Sequence, residues 1–256
     1  MKIALDIRKS VEENAASYFE KAKKDKKKLE GARKIVEEYK KKLIVLEDEK
    51  LEKKPVASMP AKREWFEKFR WFMSSDGLLV IGGRDATTNE IVIKKYTDKD
   101  DLVFHTDMAG SPFVVVKKEG KPGDIPEVTI KEAATFTAVF SRGWKMGMPT
   151  LNVFSARPEQ VTKTAKAGEF LAKGAFYIQG GVTNYGSEMN YAVGMHDGKI
   201  MGGPVSAVKK HCKDYAEVGQ GDDKLSDVAK QIKKLIGGGL DDIIRVLPAN
   251  CKLKKN

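Results

Sequence analysis

Apolar residues recur at three- and four-residue spacing through the N-terminal part of the chain. From position 9 to about position 53 there is no proline, there is one glycine, and Glu, Lys and Ala dominate, which favours one long helix. Only Asp25 breaks the register of the apolar seam, so we expect this helix to lie against another helix. The seam consists of Ala15, Tyr18, Ala22, Leu29, Ala32, Val36, Tyr39, Leu43 and Leu46.

A second helix is predicted at positions 61–73, after the prolines at 55 and 60 have ended the first one. An aromatic stripe at four- and three-residue spacing marks it: Trp65, Phe69 and Phe72. The two helices together predict an uneven antiparallel hairpin. We therefore expect a helical coiled-coil arm over residues 1–74.

Short β-prone runs alternate with helical patterns over residues 75–256. Strands are predicted at 78–81, 102–105, 112–117, 150–155, 175–179 and 189–195, the last opening a hairpin. Capping-box patterns at 87–90 and 129–132 predict helices that run to Tyr96 and to about Met146, and a tail helix is predicted at 225–236. The expected fold class is mixed α/β (α+β), with a long helical arm before a compact domain.

Charge changes this picture, because Lys and Arg number 47 against 36 Asp and Glu, a formal net charge of +11. Most of the excess lies in residues 1–74, so the arm is basic. Such a charge favours an anionic partner such as nucleic acid or an acidic membrane surface, without naming it.

Other function classes lack their motifs. The two cysteines, Cys212 and Cys251, show no CxxC spacing, so neither a disulfide framework nor a zinc site is predicted. No run is apolar enough for a membrane span, and the N-terminus lacks the apolar core of a signal peptide, so we expect a cytoplasmic protein without membrane association. No nucleotide-hydrolase or hydrolase motif is present, and no cofactor is expected.

A run of lysines on the arm helix includes Lys24, Lys27 and Lys28. Clustered like charges repel one another, and the phosphates of RNA would relieve that repulsion. A solvated coiled-coil surface explains the same run, and the sequence leaves both interpretations open.

The segment GGRDA at positions 82–86 lies where a predicted strand turns into a predicted helix. Backbone N–H groups at a helix start, together with Arg84, could hold a phosphate. Close packing of the strand on the helix is an equal explanation for the two glycines.

His105 and Asp107 lie on the same side of a predicted strand, where they could serve one metal ion or substrate. A third ligand is missing from the pattern, so a histidine that ends the strand or contacts RNA is favoured over catalysis. Further on, Arg142 and Lys145 flank Trp144, a combination that could stack a base and hold its phosphate, although a buried tryptophan is the alternative.

Several ordered runs resemble the RNA-binding (NFACT-R) domain of the NFACT proteins of ribosome quality control. They span roughly residues 60 to 195, and an upstream run at 11–23 is similar to the start of the coiled-coil segment of that family. The runs are 65–72, 79–86, 89–90, 94–96, 101–107, 130–134, 140–141, 163–170 and 174–176.

The resemblance implies a protein that recognises stalled large ribosomal subunits carrying peptidyl-tRNA. Complete members begin with a glycosylase-like domain and a helix-hairpin-helix domain, which these 256 residues do not include, so no catalytic or tRNA-selecting residue carries over. We expect either a stand-alone module or a fragment of a longer protein.

The resulting hypothesis is a non-enzymatic RNA-binding module that binds large-subunit rRNA or tRNA on the ribosome. Its alternatives are a protein-interaction scaffold that self-associates through the arm and, less favoured, a metal-dependent enzyme at His105 and Asp107. The expected RNA contacts are Arg84, Asn89, Lys94, Lys95, His105, Arg142, Lys145, Arg157, Lys163, Lys24, Lys27 and Lys28.

Overall fold

The computed structural model of the chain describes residues 4–52, 63–108, 110–164 and 171–254, and for 41–52 it describes the backbone alone. It divides into two compact units, Met1–Arg63 and Glu64–Asn256. We expected the division after residue 74. The predicted class, a long N-terminal helix followed by a mixed α+β domain, is confirmed.

The first unit contains helix α1, Val11–Glu52, which is the long helix that the apolar seam predicted. It begins with a capping box, in which Ser10 Oγ accepts the Glu13 N–H at 3.1 Å and the Glu13 carboxylate accepts the Ser10 N–H at 2.9 Å. Leu29 and Val36 of the seam are 55% and 52% exposed. Within the described residues, no helix is both long enough and apolar enough to cross a membrane.

The second unit is built from short strands and helices. In chain order these are β1 (Arg70–Met73), β2 (Leu79–Gly82), α2 (Ala86–Lys95), β3 (Leu102–His105), β4 (Val114–Val116), α3 (Glu127–Val139), α4 (Arg142–Lys145), β5 (Thr150–Ala156), β6 (Val161–Thr162), β7 (Tyr177–Ile178), β8 (Thr183–Glu188), β9 (Tyr191–His196), β10 (Lys199–Gly203), α5 (Val205–His211), β11 (Tyr215–Gln220), α6 (Leu225–Ile236), α7 (Leu240–Val246) and β12 (Cys251–Leu253).

Two antiparallel sheets organise the described part of this unit. The first is six-stranded in the order β1-β2-β4-β3-β5-β8, and the second is four-stranded in the order β10-β9-β11-β12, with β6 and β7 forming a separate ribbon. Helix α3 packs on the first sheet, while α5, α6 and α7 pack on the second. The sheets meet where β1 approaches β10, and there a side chain on Gly203 would collide with Phe72.

The predicted helix at 61–73 is wrong for the residues that the structure describes; positions 61 and 62 lie outside them. Trp65–Lys68 is a short 3-10 helix and Arg70–Met73 is strand β1. Trp71 and Phe72 point to opposite faces of that strand, and both are buried. A helix would have buried one stripe, whereas β1 is covered on both faces, so the aromatic spacing was misleading.

Both capping-box predictions in this unit are wrong, although the helices exist. The cap of α2 is Asp85, whose carboxylate accepts the Thr88 N–H at 2.8 Å. Helix α3 begins after Pro126 and ends at Val139 rather than near Met146. Its Glu132 is buried and accepts hydrogen bonds from Ser75 and Ser206, so it links the helix to neighbouring segments instead of capping it.

Candidate nucleic-acid interface

A cleft of about 630 Å³ opens in the second unit, between the β2–α2 turn, the segment before β4, helix α4 and the segment before β7. Its lining combines cationic, polar and aromatic side chains. Those that concern the function are Arg70, Arg84, Asn89, His105, Phe113, Phe140, Arg142, Lys145, Lys173 and Phe176.

Five of the expected contact residues line this one cleft. The fold brings together Arg84, Asn89, His105, Arg142 and Lys145, although up to 61 positions separate them in the sequence. Lys94, Lys95, Arg157 and Lys163 are not among the lining residues, and Lys24, Lys27 and Lys28 belong to the first unit.

Two arginines on neighbouring segments form part of the cleft wall. Arg84 donates to three backbone carbonyls, those of Lys68 at 3.2 Å, Phe69 at 2.9 Å and Arg245 at 2.8 Å. Arg70 donates to the Gly83 carbonyl, and its guanidinium lies 4.4 Å from the centre of the Phe140 ring. These bonds fix the position of both cations.

Burial, and after it the nearby charge of Arg84, lowers the pKa of Arg70 to about 10. The pKa of Arg84 is also lowered, first by burial and then by the charge of Arg245. Both groups stay protonated at neutral pH, so the wall keeps two positive charges. Arg70 was not predicted as a site residue, because it fell within the helix expected at 61–73.

The Asn89 side chain connects two segments of the cleft wall. Its Oδ1 accepts the Phe113 N–H at 3.2 Å, which ties α2 to the segment before β4. A Cβ on Gly83 would lie 1.9 Å from the same oxygen, so only glycine fits there. Close packing, one of the two explanations for the paired glycines, is therefore correct for Gly83.

His105 lies at the end of β3 with its ring stacked on Phe113, the ring centres 4.1 Å apart. Burial lowers its pKa, an effect that backbone hydrogen bonds and the charge of Asp107 oppose. The ring is accordingly uncharged at neutral pH. In the described part of the chain, no group of three or more His, Cys, Asp or Glu side chains is placed to hold a metal ion.

Arg142, Lys145 and Lys173 are exposed cations at the cleft. Among the described residues none of the three has an ion pair or a hydrogen bond from its side chain. Trp144, between the first two, is 2% exposed and donates from Nε1 to the Asn250 carbonyl at 3.1 Å. The buried alternative for Trp144 is therefore correct, and no sequence pattern pointed to Lys173.

Glu90 joins α2 to the segment that carries Lys173 and Phe176. Its carboxylate pairs with Lys163 at 2.8 Å and Lys94 at 3.3 Å, and it accepts the Gly174 N–H at 3.1 Å. The hydrogen bond from Lys163 is the main reason that the pKa of Glu90 falls to about 2. Lys94 and Lys163 thus stabilise the wall of the cleft.

The other expected contacts lie on open surface. Lys95 is exposed at the end of α2, and Arg157 borders a shallow depression with Gln160 and Gln179. On the arm, Lys24, Lys27 and Lys28 are exposed on α1.

Comparisons with known proteins agree with the resemblance found in the sequence. Residues 68–180 match a family model described as "NFACT protein RNA binding domain". The Archaeal Rqc2 homolog aRqcH of Methanocaldococcus jannaschii is 41% identical over 203 residues, which cover 76% of this chain and 30% of that protein. Ribosome quality control complex subunit NEMF of Homo sapiens is 37% identical over 174 residues, 65% of this chain and 16% of that protein.

The chain therefore spans about 30% of the archaeal relative and a smaller share of the human one. Among solved structures, the C-terminal part of the fibronectin/fibrinogen-binding protein from Streptococcus suis (FBPS) aligns at 19% identity over 71% of this chain and 77% of that one. Its TM-score is 0.40, a similarity that carries no structural conclusion.

Proposed function

Because this chain belongs to the NFACT family of ribosome quality-control proteins, we propose that it binds large-subunit rRNA or tRNA on stalled ribosomal subunits in the cytoplasm. The proposal assigns it no catalytic residue, metal or cofactor. It concerns this chain alone, and not the further activities of its longer relatives.

The cleft carries the proposal, because three cations at its rim are free of carboxylate partners within the described residues: Arg142, Lys145 and Lys173. Arg70 and Arg84 add two fixed charges behind them. An exposed cation without a partner can engage a phosphate directly, whereas a paired one must first break its ion pair. This concentration of available charge supports phosphate binding here.

The expected contacts differ in what their side chains already bind, and so in the role proposed for each. Arg142 and Lys145 contact phosphate directly, and Arg84 contributes charge and its two remaining N–H donors. His105 and Asn89 shape the cleft. Lys95 and Arg157 extend the basic surface, while Lys94 and Lys163 act through their ion pairs with Glu90.

On the arm, we propose that Lys24, Lys27 and Lys28 bind rRNA phosphates. A second function for the arm, self-association or binding of a partner helix, is supported by the exposure of Leu29 and Val36 along the apolar seam. Sedimentation equilibrium tests self-association: a concentration-dependent dimer that Val36→Lys abolishes supports it, and a monomer at all concentrations contradicts it.

Sucrose-gradient sedimentation with ribosomal subunits, at low and high salt and with or without stalled peptidyl-tRNA, tests the function. We expect the chain to migrate with the large subunit at low salt and to dissociate as salt rises, because phosphate contacts release counterions. A chain that stays at the top of every gradient would contradict the proposal, as would binding that does not change with salt.

A further inference from the structure

The aromatic side of the cleft does not fit simple phosphate binding. Phe140 and Phe176 are half-buried and line it together with the buried Phe113. Phe176 meets Phe113 edge to face, with ring centres 5.2 Å apart, and Phe140 lies against the Arg70 guanidinium. A site for phosphates alone needs cations and no aromatic wall, so these rings indicate a ligand that is part anionic and part planar.

Asn89 adds a directional polar group to that wall. The residue is 9% exposed, and its Oδ1 is occupied by the Phe113 N–H. Among the described residues its Nδ2 donates no hydrogen bond, and because no buried side-chain nitrogen or oxygen there lacks a partner, Nδ2 is open to solvent in the cleft that Asn89 lines. A nearly buried amide that keeps a donor free is suited to one hydrogen bond with a ligand acceptor.

The dimensions of the cleft limit what can enter. At about 630 Å³ it lies in the range of small-ligand sites, and its walls come from several segments that are far apart in the sequence. An RNA duplex presents its phosphates on a wide outer surface with its bases stacked inside, so it could touch the rim cations but could not place a base among the rings.

We propose that this cleft binds a single unpaired nucleotide, with its base against Phe140 and Phe176 and its phosphate on Arg142, Lys145 and Lys173. This inference rests on the proposed RNA-binding function and narrows it to a splayed nucleotide in a single-stranded loop or end. The same chemistry would accept a free nucleoside monophosphate, so the test includes both sources.

The first measurement is fluorescence anisotropy of the full chain with a labelled single-stranded RNA oligonucleotide and with the same strand annealed to its complement. We expect the single strand to bind on the order of tenfold more tightly, since only its bases are free to stack. Unlabelled AMP and UMP serve as competitors. Displacement of the strand by either monophosphate supports a site for one nucleotide, and no displacement at a large excess of competitor would contradict it.

Variants separate stacking from general charge. Phe176→Leu keeps the apolar volume but removes the aromatic face, and we expect at least about fivefold weaker binding of the single strand. Phe176→Tyr should retain binding. Arg142→Gln should weaken binding severalfold. The control is Lys234→Gln, which removes one positive charge from the exposed face of helix α6, away from the cleft, and should change binding less than about twofold. Thermal melting confirms that each variant is folded.

The outcomes distinguish this inference from the function on which it rests. Equal affinity for single strand and duplex, equal weakening by Arg142→Gln and Lys234→Gln, or wild-type binding by Phe176→Leu would each refute the nucleotide site while leaving RNA binding intact. Failure to bind either RNA at low salt would overturn both.

Discussion

Lys117 forms ion pairs with two carboxylates, one buried and one exposed. Removing each in turn tests how burial affects the contribution of an ion pair to the free energy of unfolding. Its side chain is 5% exposed, while those of Asp101 and Asp98 are 0% and 79% exposed. Lys117 Nζ donates to Asp98 at 2.7 Å and also to Asp101. Asp101 further accepts the Lys118 N–H at 2.9 Å, so it joins the start of β3 to the end of β4.

Asp101→Asn leaves a buried ammonium without its buried partner, a change that typically costs about 3–5 kcal/mol. We expect the low end, about 3 kcal/mol, because Lys117 keeps Asp98 and the Tyr96 carbonyl. Asp98→Asn removes an exposed partner and should cost less than about 1 kcal/mol. For a unit of this size, 3 kcal/mol corresponds to a fall in Tm of about 6–12 °C.

Tryptophan fluorescence during thermal and urea unfolding is the assay, because Trp65, Trp71 and Trp144 all lie in the second unit and do not report on helix α1. Asp101→Asn combined with Lys117→Met should regain part of the loss, since no buried charge is left unpaired. Equal destabilisation by Asp98→Asn and Asp101→Asn would refute the argument from burial.

Three further predictions follow from the cleft. Glu90 should titrate at about pH 2 by carboxyl NMR, with its stabilising effect complete above its ordinary pKa and lost as pH falls towards 2; Lys163→Met should raise that pKa, and an unchanged value would exclude the ion pair as the cause. His105→Gln should leave the salt dependence of RNA binding unchanged, because burial keeps the imidazole ring neutral. If the plot of log binding constant against log salt concentration became shallower by about one, His105 would bind as a cation. Gly83→Ala should lower the Tm of the second unit, since its Cβ would lie 1.9 Å from Asn89 Oδ1, and a wild-type melting curve would contradict that packing.

The sequence predicted the helices and strands whose formation depends mainly on their own residues. Strand β3 and helix α6 have the predicted bounds, because one is a short β-prone run and the other an amphipathic stretch ended by glycines. The long helix α1 was predicted for a similar reason: composition and seam agree over 42 residues.

The features that the sequence patterns did not predict depend on contacts between residues far apart in the chain. Strand β1 exists because it pairs with β2 and is covered on both faces, and neither condition is visible in the spacing of its aromatic residues. Arg70 therefore went unnoticed, as did Lys173, which reaches the cleft because the Gly174 N–H binds Glu90 of a distant helix. Arg142 and Lys145 were predicted because a cation near a tryptophan is a local pattern.

The stretch recognised as a family domain is shorter than the body that folds. The match ends at residue 180, before edge strand β8 and before the whole second sheet. Yet Arg84 donates to the carbonyl of Arg245, Trp144 donates to that of Asn250, and Phe72 packs against Gly203. A fragment cut at the end of the family-model match would expose the back of the cleft to water. The end of the family-model match is therefore not the boundary of the folded unit, and a fragment chosen for expression or transplantation must follow the buried contacts instead.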